Sequence, residues 1–117
     1  MYYKQELGQT GEKIATKYLL ENNYRIVGRN FRTRLGEIDI IAIDKDELVF
    51  IEVKTRTTDK YGKPSEAVDY EKIKHILRVA EYYMYIYKIK NTYCRIDVIE
   101  VIIGKQNYRL NHIKQCI

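Results

Sequence analysis

Two segments, residues 37–43 and 48–55, constrain the fold of this chain more than any other feature. Both are rich in Ile and Val, which favour strands, and both set charged side chains into an apolar run. Asp44, Lys45, Asp46 and Glu47 lie between them and read as a tight turn. Side chains alternate across a strand, so Glu37, Asp39 and Ile41 are expected on one face. Phe50, Glu52 and Lys54 are expected on one face of the next strand. Ile38, Ile40, Ile51 and Val53 then point the other way, into a core.

The loop decides whether the two polar sets meet. With Lys45 and Asp46 as the loop, Asp39 falls opposite Glu52 and Glu37 opposite Lys54. A longer loop closed by Ile43 and Leu48 keeps that register, whereas a three-residue loop without a bulge sends the two carboxylates to opposite faces. Directly opposed like charges cost about 0.2–1 kcal/mol, and a cation between them relieves that cost. Carboxylate oxygens with water completing the shell are a typical Mg²⁺ arrangement. Lys54, one pleat beyond Glu52, would bring positive charge near a metal-bound water or a scissile phosphate. A half-solvated hairpin carrying Glu and Lys explains the same spacing. The apolar residues around the triad, the basic flanks and the nearby helical Glu12 favour a site over that simpler explanation.

The remainder reads as alternating helix and strand. Thr10 is expected to cap a helix running to about Asn22, with Ile14, Ala15, Tyr18 and Leu19 on one face and Glu12 in its first turn. Asn22 and Asn23 mark its stop, and residues 24–31 read as a strand. Residues 57–64, with Gly62 and the chain's only proline, read as a loop. Ser65 is expected to cap a second helix, with Glu66 and Asp69 near its positive end. Its buried stripe is Ile73, Ile76, Leu77, Ala80, Met84 and Tyr87. Residues 95–103 form another strand, and a turn at 104–106 leads to a last strand from about Asn107. The expected class is α/β, in the order αβββαββ: a mixed sheet flanked by helices, as one domain over residues 1–117.

Several functional classes find no support. The longest apolar run, residues 82–87, is far short of the roughly 20 residues a spanning helix needs. The first residues lack the apolar core of a signal peptide, so a cytoplasmic protein without membrane association is expected. Cys94 and Cys116 form no C-x-x-C pair and read as free thiols. His75 and His112 show no zinc spacing, and Ser65, the only serine, lies in no nucleophile elbow. No phosphate-binding or dinucleotide loop is present, so no nucleotide cofactor is expected.

Charge placement points instead to a polyanion. The formal net charge is +5. Arg29, Arg32 and Arg34 precede the acidic strand, and Arg56, Lys60 and Lys63 follow the Glu-x-Lys strand. Together they could hold phosphates on either side of a cleavage point. Tyr82, Tyr83, Tyr85 and Tyr87 wrap around the second helix, so they cannot all share one face. An exposed tyrosine patch there suits a homodimer contact or base stacking.

Five segments carry a family resemblance: Gly8-x-x-Gly11-Glu12, Arg29-Asn30-Phe31-Arg32, Gly36-Glu37-Ile38-Asp39, Glu52-Val53-Lys54-Thr55-Arg56 and Glu66-Ala67-Val68. In that order, over nearly the whole chain, they resemble the YraN family, also called UPF0102. That family is similar to Holliday junction resolvases and to the PD-(D/E)-x-K nuclease superfamily. The resemblance implies a restriction-endonuclease-like fold, with Asp39 as first metal carboxylate, Glu52 as second and Lys54 as catalytic lysine. It makes Glu12 similar to the first-helix acid of archaeal resolvases, and leaves Glu37 as a secondary candidate. Ile38 stands where the superfamily motif has proline. The implied activity is Mg²⁺- or Mn²⁺-dependent endonucleolytic hydrolysis of phosphodiester bonds in DNA, including branched or damaged DNA. The alternatives are a catalytically silent nucleic-acid-binding module and a protein-interaction domain using the Tyr-rich helix.

Overall fold

The computed structural model describes residues 4–57 and 68–117. In chain order these form α1 (Lys4–Glu21), β1 (Arg25–Thr33), β2 (Gly36–Asp44), β3 (Glu47–Thr57), α2 (Tyr70–Ile86), β4 (Cys94–Ile103) and β5 (Tyr108–Ile113). The expected αβββαββ order is therefore the observed one. The five strands form one sheet in the order β1-β2-β3-β4-β5. All neighbours are antiparallel except β3 and β4, which run parallel. A parallel pair needs a crossover, and α2 lies on it.

Each sheet face buries one helix. Ala15 and Leu19 of α1 pack with Ile40, Ala42, Val49, Ile51, Ile99 and Val101. Ile73, Ile76, Val79 and Ala80 of α2 pack with Ile38, Ile41, Phe50, Ile96 and Val98 on the opposite face. β3 and β4 are covered on both sides, which explains their near-continuous apolar runs.

The helix starts differ from expectation. α1 begins at Lys4, upstream of Thr10, because Gln5, Glu6 and Leu7 also favour a helix and Leu7 packs onto the core. Thr10 is thus no cap; its hydroxyl donates to the Glu6 carbonyl inside the helix at 2.9 Å. Glu12 accordingly lies beyond the first turn. The expected stop holds. Asn23 is left-handed (φ 67), Tyr24 N–H donates to Leu19 O and Asn23 N–H to Leu20 O, closing a Schellman motif. α2 starts at Tyr70, and Asp69 caps it by accepting from the Glu71 and Lys72 N–H groups. The expected Ser65 cap and Glu66 lie outside the described residues. Tyr87, expected in the buried stripe, is 59% exposed because it is the C-cap residue, past the last helical turn. Tyr83 points inward instead and meets the rings of Phe31 and Phe50. Among the described residues no helix is long and apolar enough to cross a membrane. Cys94 and Cys116 are free thiols.

Candidate functional site

The β2–β3 hairpin takes the two-residue loop, with Lys45 left-handed (φ 59) and Asp44 paired with Glu47. Pairing runs from there to Ile40 opposite Ile51 and stops. One step further, the register would set Asp39 across from Glu52. Instead the Asp39 carboxylate takes over the role of a ladder carbonyl: its Oδ2 accepts the Val53 N–H at 2.8 Å. β3 keeps its other partner and remains paired with β4 as far as Thr57 opposite Ile103. Asp39 therefore sits where β2 and β3 part.

Simple alternation fails at this point. Ile40 packs in the α1 layer, but Ile38 packs with Ile41 and Phe50 in the α2 layer. On the neighbouring strand, Arg29 pairs with Ile40 and Phe31 with Ile38, and Asn30 between them is left-handed (φ 53). A non-glycine residue in that region is a local break in the strand. It turns both strands over together, so Ile38 does not share a face with Ile40 and Glu37 does not share one with Ile41. Glu37 pairs with Arg32 at 3.5 Å, and Lys54 pairs across the sheet with Glu100 on β4. The expected Glu37–Lys54 opposition does not form.

The break gathers carboxylates around Asp39. Its pKa is raised from 3.8 to about 6, first by burial, against the Val53 hydrogen bond, and further by the charges of Glu12, Glu37 and Glu52. Glu12 reaches the site from α1. Burial and Glu37 push its pKa up, and Arg29 and Arg32 partly offset them. Gly11 permits this approach, since a Cβ there would meet Thr55 Oγ1 at 1.8 Å.

Glu52 approaches from β3 and is 3% exposed. Its buried Oε2 has no hydrogen-bond partner. Lys72 Nζ, from the first turn of α2, stands 2.5 Å from Oε1. This ion pair engages Oε1 and leaves the lone pairs of Oε2 to offer a cation. Burial works against the Lys72 ammonium, but Glu52, Asp39 and Asp69 outweigh it and its pKa is raised. Lys54 follows Glu52 on the same strand face, half-buried and with no ion pair among the described residues. Arg56 is held against the buried Glu100 at 3.0 Å.

Arg29 and Arg32 line one groove of about 290 Å³ with Glu12 and Lys13. Arg34 lines another, of about 530 Å³, beside Leu35, Tyr82 and Ile86; Arg32 borders both. Lys60 and Lys63 lie outside the described residues.

Three features escape a strand-by-strand reading of the sequence. Lys72 joins the site from a helix distant in the chain. Glu100 and Asp97 are buried acids on opposite faces of β4. Asp97 meets Arg95 and His112, and Arg95 extends to Tyr24, Asp44 and Glu47. The available signal was two acids at odd spacing in a strand that is apolar but for Arg95, each of which demands a cation.

Comparisons with known proteins agree with the resemblance seen in the motifs. The model of a family described as uncharacterised protein family UPF0102 matches residues 11–101. A UPF0102 protein of Caldicellulosiruptor saccharolyticus is 48% identical over 104 residues, covering 89% of this chain and 88% of the relative. One from Clostridioides difficile is 46% identical over 108 residues, covering 92% and 93% respectively. One from Caldanaerobacter subterraneus is 43% identical over 113 residues, covering 94% and 93%.

Proposed function

The chain belongs to the uncharacterised protein family UPF0102, and from that premise we propose a Mg²⁺- or Mn²⁺-dependent endonuclease that hydrolyses phosphodiester bonds in DNA, branched or damaged DNA included. One observation carries this proposal. The buried Glu52 carboxylate, whose Oε2 has no hydrogen-bond partner, lies within electrostatic reach of Asp39, itself a buried acid surrounded by like charges. Lys72 offsets one of these charges, and a dication would offset the rest.

The donor set fits a hard dication. Among the described residues no three His, Cys, Asp or Glu side chains come close enough to cage a metal by themselves. Mg²⁺ does not need a cage, since it keeps several waters and takes one or two carboxylates. Asp39 and Glu52 would hold it. When bound, the metal would polarise a phosphoryl oxygen and make its water more acidic. Lys54 would stabilise the charge that develops on the scissile phosphate. Glu12, which holds a proton more readily than an ordinary glutamate, is suited to take one from water. Arg29 and Arg32, on the α1 side of Asp39, would hold the flanking backbone.

The test is Mn²⁺-dependent cleavage of linear, single-stranded and four-way-junction DNA by wild type, Asp39→Asn and Glu52→Gln. Cleavage by wild type alone is expected; variants that cut as well as wild type would rule out the assignment. The Lys72–Glu52 ion pair favours a second role, as a nucleic-acid-binding module without catalysis. That role predicts salt-dependent binding by all three proteins and cutting by none.

A further inference from the structure

We infer that Lys72 is an internal stand-in for the metal: its ammonium neutralises Glu52 in the metal-free protein and must leave when a divalent cation arrives. This rests on the proposed metal-dependent activity and adds a residue that sets how readily the metal enters. Lys72 Nζ touches Glu52 Oε1, and the charge of Asp39 also acts on it. It thus stands among the same carboxylates that would hold a metal.

Its position within α2 is otherwise unfavourable. Asp69 caps the helix, so Lys72 falls at the third helical residue. There the helix dipole repels a cation. Glu71, one residue earlier, is the type of residue that end prefers. What compensates Lys72 is the buried carboxylate beneath it.

The pair is also built to open. Glu52 is fixed in β3 and buried, whereas the Lys72 side chain is 53% exposed on a long flexible stem. Swinging the ammonium into water restores its hydration and leaves Glu52 facing the new cation. A dication shared by two carboxylates outcompetes one ammonium shared by the same two. The released amine stays at the mouth of the site, where an incoming phosphate passes. Lys72 is therefore a positioning residue whose occupancy opposes that of the metal.

Calorimetric titration with Mn²⁺ alone tests this on wild type, Lys72→Met, Lys72→Arg and Glu52→Gln. If Lys72 holds the seat about nine-tenths of the time, its removal tightens Mn²⁺ binding by about tenfold. Lys72→Arg keeps the charge and is expected to bind near the wild-type level. Lys72→Met should also melt earlier than wild type without metal, yet gain more in Tm from Mn²⁺. Equal or weaker Mn²⁺ binding by Lys72→Met, beside wild-type binding that Glu52→Gln loses, overturns this inference and leaves the metal site standing. Absence of Mn²⁺ binding by wild type and Lys72→Met alike removes the metal site as well.

Discussion

The Asp39 carboxylate accepts the backbone N–H of Val53 at 2.8 Å, at the point where β2 leaves β3. This contact lets an acid, rather than a carbonyl, end the ladder, and it holds that acid among Glu12, Glu37 and Glu52. Their repulsion and the burial of Asp39 give the site a cost in stability that pH reveals.

The folded-state pKa of Asp39 is raised from 3.8 to about 6. Between those values the native state binds more protons than the unfolded one, so stability falls as pH rises from about 4 to about 6. Two pKa units correspond to at most about 3 kcal/mol. Asp39→Asn keeps an oxygen for the Val53 N–H and removes the charge. It is expected to be about 1–3 kcal/mol more stable than wild type at pH 7 while losing cleavage. Urea unfolding from pH 4 to 8 measures this; parallel curves for the two proteins would show that Asp39 titrates as an ordinary surface acid.

Gly8 and Gly11 offer a matched pair on one helix. A Cβ at Gly8 meets nothing within 4 Å, whereas one at Gly11 would meet Thr55 Oγ1 at 1.8 Å and Thr55 Cβ at 2.8 Å. Gly8→Ala should therefore stabilise by about 1 kcal/mol through helix propensity. Gly11→Ala should destabilise by about 1–3 kcal/mol, because α1 must lift from β3. It should also weaken cleavage, since Glu12 moves with the helix. Chemical denaturation of both variants and of Gly11→Ala/Thr55→Ala checks this; the double variant should recover part of the loss.

The hairpin register was legible because the polar Asp44–Glu47 turn offered a two-residue loop that sets Asp44 opposite Glu47. Both helix faces were legible from the helical spacing of their apolar residues. The overturned alternation at Ile38 was not, because a single left-handed Asn30 leaves no periodic trace. Nor was Lys72, whose partner depends on how α2 lies across β3. Its spacing within α2 is that of any solvent-facing lysine.

Arg29 and Arg32 differ in what already engages them. Arg32 forms an exposed ion pair with Glu37, while Arg29 is exposed beside Glu12 and Lys13. If both meet DNA phosphates, replacing either with Ala should lower the slope of log K against log salt by about 0.9. Arg29→Ala should weaken binding almost equally for all sequences. Binding measured at several salt concentrations decides this, and an unchanged slope would remove Arg29 from the interface.

At the other end of the sheet, Asp97 titrates with the opposite sign. It is fully buried; burial alone would raise its pKa, but His112, Arg95 and the Gln115 N–H outweigh that and lower it. The Asp97 carboxylate accepts from His112 Nε2 at 2.8 Å, which leaves Nδ1 to accept from the Tyr18 hydroxyl at 2.8 Å. A depressed folded-state pKa contributes stability above the unfolded value near 4 and loses it as pH falls further. Arg95→Met leaves Asp97 buried without its guanidinium and is expected to cost about 3–5 kcal/mol at pH 7. Asp97→Asn is also destabilising at pH 7, and its deficit should narrow below about pH 4, where wild type gains the proton too. Asp39→Asn should converge with wild type from the opposite side, its advantage shrinking as pH falls from about 6 to about 4. Unfolding of both Asn variants across pH 3 to 8 separates the two carboxylates: a deficit for Asp97→Asn that stays constant with pH would mean that its partners do not hold it ionised.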